Sequence, residues 1–184
     1  MHICFHRLLR IDLTHHKASV EEIPTEVIDA FVGGKGLGTY YLYREVAPQV
    51  DPLGPENKVF IAPGALSGTL VPAASRYEMV TKSPLTGIYL DSNAGGHFGP
   101  ELRLTGHDLV ILEGQSPRPV AVVIHGGSGE GLPSASGGVG GVKVQFRDAS
   151  HLWGRSIYET ETTLRDELGD PCFRIASIGP AGER

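Results

Sequence analysis

Residues 91–99, which read DSNAGGHFG, have the composition of an anion-binding turn. Glycine lets backbone N–H groups approach an anion closely and adopts the positive φ that such a turn requires. The segment follows a predicted strand and leads into a predicted short helix at 98–104, whose N-terminus would favour negative charge. Asn93 adds an amide oxygen that could face a ligand or a hard cation. We interpret this segment as the best phosphate-site candidate in the chain, with a tight surface turn as the alternative.

Three further glycine-bearing segments are weaker candidates for binding an anion. Glycines 34, 36 and 38 lack the GxGxxG spacing after a strand, so a helix stop followed by a helix start explains them as well as an anion site does. Residues 178–184 leave a predicted strand in the same manner as residues 91–99 do. Residues 126–141 hold 8 of the chain's 25 glycines and no apolar periodicity, which indicates a flexible loop.

Few side chains offer reactive chemistry. Arg76 could bind a phosphate with two parallel N–H groups and Lys82 could do so as a point charge, although either alone is more often a solvated surface charge. No HExxH, GxSxG or Walker pattern occurs, and of the histidines only His97 lies in a candidate site. Cys4 and Cys172 are far apart and form no CxxC motif, so we interpret them as buried reduced thiols. No catalytic residue is predicted.

Length and composition indicate a globular chain of one domain, or of two small ones that share a core. The 184 residues are 40% hydrophobic and 20% charged, and 16 basic against 21 acidic side chains give a net charge of −5. No Lys/Arg cluster is present, which argues against nucleic-acid binding. No signal peptide or membrane-span pattern is found, so we expect a cytoplasmic protein that binds no membrane.

Apolar patterns predict a β-rich α+β chain. Strands are predicted at 7–13, 18–23, 58–62, 76–81, 87–91, 108–113, 119–125, 142–146 and 173–178. Helices are predicted at 25–31, 37–46, 98–104 and 156–168. In the last helix, Ser156 and Glu159 form a capping box, and the predicted inward stripe consists of Trp153, Ile157, Thr160, Leu164 and Leu168. Strands and helices do not alternate regularly, which disfavours a doubly wound parallel sheet.

The order of several short segments is more specific than any one of them. They are 10–14 (RIDLT), 33–38 (GGKGLG), 51–58 (DPLGPENK), 81–86 (TKSPLT), 91–102 (DSNAGGHFGPEL), 111–114 (ILEG), 152–154 (LWG) and 178–183 (IGPAGE). In this order, from about residue 7 to residue 184, the chain resembles the N-terminal domain of the aldehyde ferredoxin oxidoreductase family, the tungsten or molybdenum bis-pterin enzymes.

The resemblance implies a single domain over residues 1–184 with two β-sheets related by a pseudo-twofold axis and a few short helices, forming a saddle for a metallopterin. It implies that Arg76 contacts a pterin phosphate and that a magnesium ion bridging two phosphates takes the backbone carbonyls of Asn93 and Ala181. The cofactor-binding residues it implies are Arg76, Asn93, Ala94, Gly95, Gly96, Ala181 and Gly182.

The implied function is the cofactor-binding part of a tungstopterin or molybdopterin enzyme that oxidises aldehydes to carboxylic acids with ferredoxin as electron acceptor. Family members run to roughly three times this length, and their 4Fe-4S cluster ligands come from later domains. We therefore expect the 184-residue chain alone to be inactive and to self-associate as a homo-oligomer. The alternatives are a stand-alone pterin-binding module, a subunit whose partner supplies the cysteines, or part of a related aromatic-acyl-CoA reductase; a dinucleotide-binding enzyme using residues 33–38 is the weakest interpretation.

Overall fold

The computed structural model describes residues 4–126 and 142–183, which form an α+β fold with two β-sheets. The elements are β1 Arg7–Asp12, β2 Lys17–Glu22, α1 Thr25–Phe31, α2 Gly34–Glu45, β3 Lys58–Pro63, β4 Tyr77–Lys82, β5 Tyr89–Ala94, α3 Phe98–Leu104, β6 Leu109–Glu113, β7 Val120–His125, β8 Lys143–Asp148, a 3-10 turn Ser150–Leu152, and α4 Ile157–Leu168. The prediction of a β-rich α+β fold with two sheets is confirmed. Most of the predicted glycine-rich loop 126–141 lies outside the described residues.

The larger sheet has six strands in the order β2-β1-β6-β3-β4-β5, and the smaller sheet pairs β7 with β8. β1 and β6 run parallel, and the other described neighbours are antiparallel. β5 therefore lies at the edge of the larger sheet. In its register with β4, Asn93 is opposite Glu78 and Ala94 is opposite Tyr77.

Both faces of the larger sheet are covered, because successive side chains of a strand point to opposite faces. Leu8 packs with α1 and α2 in one buried cluster, whereas its neighbour Leu9 packs in a second cluster that includes Leu102 of α3. Partly buried side chains of the smaller sheet, among them Val122 and Phe146, complete the second cluster. The sheet thus presents the end of β5 and the start of α3 on a framework packed from both sides.

Close packing explains the glycines at the start of α2. A Cβ on Gly36 would lie 2.6 Å from the carbonyl oxygen of Phe31, and one on Gly38 would lie 2.9 Å from Val80 Cγ2. Gly34 adopts a φ of +54°, a conformation that glycine favours. The helix-stop and helix-start interpretation of residues 33–38 therefore accounts for these glycines without a ligand.

The C-terminal part differs from the sequence prediction in two ways. Ser156 and Glu159 do form a capping box, and Gly169 ends α4 in the left-handed conformation. Thr160 and Leu164 are buried as predicted, but Trp153 and Ile157 are 54% and 47% exposed, so the predicted inward stripe is wrong at its N-terminal end. Burial stops there because α4 packs through a small cluster of Ala149, Leu152 and Leu164, with Ala121 and Ile175 against it.

The strand predicted at 173–178 is also wrong, since these residues join neither described sheet. Ile175 packs on the α4 cluster, the ring of Phe173 lies 5.3 Å from that of His125, and the Phe173 carbonyl accepts from Arg165 Nε at 3.0 Å. Side-chain contacts, rather than a ladder of backbone hydrogen bonds, hold the segment in place.

Candidate functional site

Arg76 and Asn93 meet at the point where β4 begins and β5 ends. Arg76 Nη1 donates a hydrogen bond to Asn93 Oδ1, and Asn93 Nδ2 donates to Glu78 Oε1 at 2.5 Å. The antiparallel register explains this contact, because it places Asn93 directly opposite Glu78, two residues after Arg76. The structure therefore brings together two of the predicted site residues and adds a carboxylate that sequence reasoning missed.

The backbone of Arg76 is held by the loop that precedes β4. Its carbonyl oxygen accepts from the Gly64 N–H at 3.1 Å and from the Ser67 hydroxyl at 2.9 Å. Ser67 is only 3% exposed, so this anchor is buried, whereas Arg76 itself is exposed. The guanidinium thus extends towards solvent from a fixed backbone.

The charge of Arg76 is not compensated by an ion pair within the described part of the chain. Its partner Asn93 is a neutral amide. Lys82, the other predicted phosphate contact, instead donates to the carbonyls of Pro48 and Val50, both at 2.6 Å. Of the two predicted cations, Arg76 is the one positioned to attract an anion.

The turn after β5 is open on its outer side. The predicted loop begins later than expected, because β5 continues through Asn93 and Ala94. A Cβ on Gly95 or Gly96 would meet nothing within 4 Å, and Gly96 has a φ of +89°. The backbone of this turn is therefore accessible to a bulky group, and Gly96 adopts a conformation that few other residues tolerate.

A cleft of about 350 Å³ lies beside this turn. Gly95, His97 and Phe98 line one side, and Arg165 and Arg174 are among the residues on the other. Arg165 forms an ion pair with Glu161 at 2.6 Å, whereas the buried Nε of Arg174 has no hydrogen-bond partner among the described residues. The cleft therefore carries more positive than negative side chains, which suits an anionic group.

Ala181 and Gly182 lie in a separate turn. The Gly182 N–H donates to the Gly179 carbonyl at 2.9 Å, and the Glu183 carboxylate accepts from the Gly154 N–H at 2.8 Å. These contacts attach the turn to the segment before α4, whereas Arg76 and Asn93 belong to the larger sheet. The predicted closure of the site by Ala181 and Gly182 stays a prediction.

The two cysteines do not form a metal site. Cys4 Sγ donates to the Val32 carbonyl at 3.4 Å, and burial raises the pKa of its thiol. Cys4 is only partly buried and Cys172 is exposed, so the prediction of two buried thiols is wrong for Cys172 and holds only in part for Cys4. Residues 4–126 and 142–183 contain no group of three or more His, Cys, Asp or Glu that could hold a metal ion.

Comparison with known proteins identifies the family of this chain. Residues 8–184 match the sequence model of the family described as aldehyde ferredoxin oxidoreductase, N-terminal domain. The chain belongs to this family. It is 44% identical over 177 residues to the tungsten-containing aldehyde ferredoxin oxidoreductase of Thermococcus kodakarensis and 43% identical to that of Pyrococcus furiosus. In each case the match covers 96% of this chain and 27% of the relative, so the chain spans about a quarter of the length of these enzymes.

The chain is also similar to a subunit of a sulfonate oxidoreductase and to a chain of a benzoyl coenzyme A reductase complex. A WOR-like subunit of an aliphatic sulfonate oxidoreductase from P. furiosus is 33% identical over 88% of the chain and 24% of the relative. A solved chain of the active-site complex BamBC of benzoyl coenzyme A reductase, in complex with 1,5-dienoyl-CoA, is similar with a TM-score of 0.85 and 31% identity. That match covers 98% of this chain and 25% of the solved one. Within the described ranges, no helix of this chain has the length and apolar character of a membrane span.

Proposed function

We propose that this chain is the cofactor-binding N-terminal domain of a tungstopterin or molybdopterin oxidoreductase that oxidises aldehydes to carboxylic acids and passes the electrons to ferredoxin. The observation that carries this proposal is the pairing of Arg76 with a neutral amide beside the open Gly95–Gly96 turn. An exposed guanidinium without a carboxylate partner, next to accessible backbone, suits a phosphate-bearing cofactor. The similarity to tungsten-containing relatives supports the same group.

The residues present fit such a group at several points. Arg76 would hold a pterin phosphate, and Asn93, Ala94, Gly95 and Gly96 would contact the cofactor by side chain and backbone. The carbonyls of Asn93 and Ala181 would be ligands of a magnesium ion between phosphates, because magnesium prefers oxygen ligands and keeps several waters. Gly182 would close the other side. When bound, the metallopterin supplies the two-electron redox chemistry.

The contribution of this domain is positioning rather than reaction. Arg76 neutralises phosphate charge from a backbone that Gly64 and Ser67 hold in place. The glycine turn gives the cofactor room, and the sheet packed on both faces keeps these groups in a fixed relation. We propose residues 1–184 as one such domain, inactive alone, in a cytoplasmic enzyme whose 4Fe-4S cluster and substrate pocket are built by later domains or by a cysteine-bearing subunit.

Aldehyde-dependent reduction of a viologen dye tests the proposal. We expect activity from the full-length protein that contains this domain and none from the 184-residue chain alone. In the full-length protein, Arg76→Ala should lower the activity together with the tungsten or molybdenum content. Arg118→Ala, which removes an exposed arginine from the connection between β6 and β7, should change neither. Aldehyde-dependent dye reduction by the isolated chain, or full activity in Arg76→Ala, would contradict the proposal.

A second candidate function is favoured by the benzoyl coenzyme A reductase chain, which covers 98% of this chain at a TM-score of 0.85. In that case the domain would hold the same cofactor in a subunit that reduces aromatic acyl-CoA esters. The two functions differ in substrate and in the direction of electron flow. Turnover of benzoyl-CoA with a low-potential donor, in the absence of aldehyde oxidation, would favour the second. A protein that binds cofactor but turns over neither substrate class would indicate a stand-alone pterin-binding module.

A further inference from the structure

Glu78, Asn93 and Arg76 form a hydrogen-bonded series whose direction is fixed by chemistry. A carboxylate can only accept hydrogen bonds and a guanidinium can only donate them. The amide of Asn93 lies between the two, so its NH₂ group must face Glu78 and its oxygen must face Arg76. The reversed amide would place two acceptors together at Glu78 and two sets of donors together at Arg76. Glu78 and Arg76 therefore together fix which way the Asn93 amide points.

Among the described residues, the Glu78 side chain has no ion pair and no hydrogen bond other than the one to Asn93. Its Oε2 atom is buried without a hydrogen-bond partner, and its stem lies under the start of α2, where a Cβ on Gly34 would be 3.9 Å from Glu78 Cγ. Lys35, which interacts electrostatically with Glu78, forms its ion pair with Asp91 at 2.8 Å. The hydrogen bond that Glu78 does make is the one to Asn93.

Because the hydrogen-bonded series lies at the edge of the sheet, the orientation of the Asn93 amide affects how firmly the exposed Arg76 side chain is held. Asn93 is on β5, the edge strand, so only β4 supports it from within the larger sheet. The Arg76 guanidinium is exposed, and Asn93 is the side chain that binds it among the residues described. A long exposed arginine loses substantial rotamer entropy when it binds a ligand, and an arginine that is already held loses less.

We propose that Glu78 is a positioning residue which, through Asn93, holds the Arg76 guanidinium ready for a phosphate group. This inference rests on the proposed function, in which Arg76 binds a cofactor phosphate. Glu78 itself would not touch the phosphate. Through its hydrogen bond to Asn93, Glu78 would strengthen phosphate binding indirectly, whereas its negative charge would weaken phosphate binding by Coulomb repulsion.

Because these two effects on phosphate binding have opposite signs, a single substitution can separate them. Glu78→Gln keeps the shape of the side chain and removes a negative charge near the anion site, which by Coulomb attraction alone should strengthen phosphate binding. The positioning role predicts the reverse, because the introduced amide oxygen is a weaker acceptor than a carboxylate and its NH₂ group can compete for the contact, so Asn93 is held less firmly. Glu78→Asp keeps the charge but shortens the side chain by one methylene, and the positioning role predicts weaker binding here too.

The experiment is a titration of the full 184-residue chain with inorganic phosphate, followed by NMR. We expect Glu78→Gln and Glu78→Asp each to weaken phosphate binding about five-fold, the size expected for loss of one hydrogen bond. We also expect a lower heteronuclear NOE at Arg76 Nε–H in the absence of phosphate, with the unfolding midpoint close to that of wild type. Glu101→Gln, which removes an exposed carboxylate from the first turn of α3, is the matched control and should neither weaken binding nor change the NOE.

Unchanged or stronger phosphate binding in Glu78→Gln, or an unchanged Arg76 NOE, overturns the inference. Failure of the proposed function gives a different pattern. In that case wild type does not bind phosphate, or Arg76→Ala binds phosphate as well as wild type does. The NOE at Arg76 still reports whether Glu78 orders the guanidinium. The two proposals can therefore fail separately.

Discussion

At the scale of single residues, a buried ion pair lies next to β6. Arg103 Nη1 lies 2.5 Å from Asp108 Oδ1, and the two side chains are 4% and 2% exposed. Asp108 Oδ2 also accepts from the His6 N–H at 2.7 Å, and the Arg103 guanidinium lies 4.9 Å from the centre of the Phe5 ring. The pair therefore ties the N-terminal residues to the α3–β6 connection.

Asp108→Ala should strongly destabilise the chain. The substitution leaves the Arg103 charge buried without its carboxylate, which typically costs about 3–5 kcal/mol. Chemical denaturation measures the free energy of unfolding. Glu161→Ala, which breaks the partly exposed i,i+4 pair of Glu161 with Arg165 on α4, is the control and should cost only about 0.2–0.5 kcal/mol. Equal losses for the two variants would contradict this account of the buried pair.

His107 makes stability depend on pH in a defined window. Burial, followed by repulsion from Arg7, lowers the pKa of His107 from 6.5 to about 4, while a hydrogen bond at Thr105 opposes the shift. Below pH 6.5 the unfolded chain binds a proton that the folded chain does not, so stability falls as the pH drops from about 6.5 to 4. The loss should reach on the order of 3 kcal/mol.

The measurement is the free energy of unfolding at several pH values between about 4.5 and 6.5, where most carboxylates in the unfolded chain are still ionised. His107→Gln removes the titrating group but keeps a hydrogen-bonding side chain next to Thr105. Its stability should change much less with pH than that of wild type. Parallel pH dependences in the two proteins would rule out His107 as the cause.

The sequence predicted some site residues better than others. Arg76 and Asn93 could be found because their residue types suit phosphate binding and because they lie in segments that resemble a known family. Glu78 was missed because its role depends on the register of β4 with β5, which only the folded sheet defines. The alternation of Arg76 and Glu78, two residues apart at the start of a strand, was the one available signal. Arg174 was missed because its cleft forms only when α4 and the turn after β5 come together.

At the scale of elements, the first turn of α2 packs closely against the end of α1. Gly36 and Gly95 are both glycines of candidate anion loops, but their surroundings differ. A Cβ on Gly36 would lie 2.6 Å from a backbone oxygen, whereas one on Gly95 would meet nothing within 4 Å. Packing therefore requires glycine at position 36 and does not at position 95.

Gly36→Ala should destabilise the fold by about 1–3 kcal/mol, because overpacking against the backbone outweighs the gain of about 1 kcal/mol in helix propensity. Gly95→Ala should change stability by less than about 0.5 kcal/mol. If the open turn serves cofactor binding, Gly95→Ala should instead lower the cofactor content of the protein. Thermal and chemical unfolding compare the two variants, and a Gly36→Ala protein more stable than wild type would contradict the packing explanation.

Local patterns predicted most elements, because the alternation of strand residues and the capping of helices depend on residues close together in the sequence. The capping box of Ser156 and Glu159 and the bounds of α1 are confirmed. Residues 173–178 alternate like a strand, but whether such a segment pairs depends on a neighbouring strand elsewhere in the chain. The exposure of Trp153 and Ile157 likewise depends on what α4 packs against rather than on its own period.

At the scale of the whole molecule, the connection between β3 and β4 and the one between β4 and β5 expose large apolar side chains. Leu70 and Leu85 are almost fully exposed, and Leu66, Val71 and Ile88 beside them are also exposed. Soluble monomers rarely expose extended apolar surface without a partner. This agrees with the expectation that the isolated chain self-associates.

Leu70→Glu combined with Leu85→Glu should reduce that association. Light scattering coupled to size-exclusion chromatography should give a mass for the wild-type chain that rises with concentration, and a lower mass for the double variant at the same concentration. Because both side chains are exposed, the unfolding midpoint should stay close to that of wild type. A wild-type chain that is monomeric at every concentration would refute this prediction.

The central claim, that this domain holds a phosphate-bearing metallopterin at Arg76 and Asn93, is tested most directly by cofactor content. The chain would be purified from cells able to make the bis-pterin cofactor, and tungsten, molybdenum, magnesium and pterin would be measured per polypeptide. We predict stoichiometric pterin with magnesium in wild type and in Arg118→Ala, and loss of both in Arg76→Ala and Asn93→Ala. A folded wild-type chain without pterin, or Arg76→Ala with full pterin content, would contradict the account.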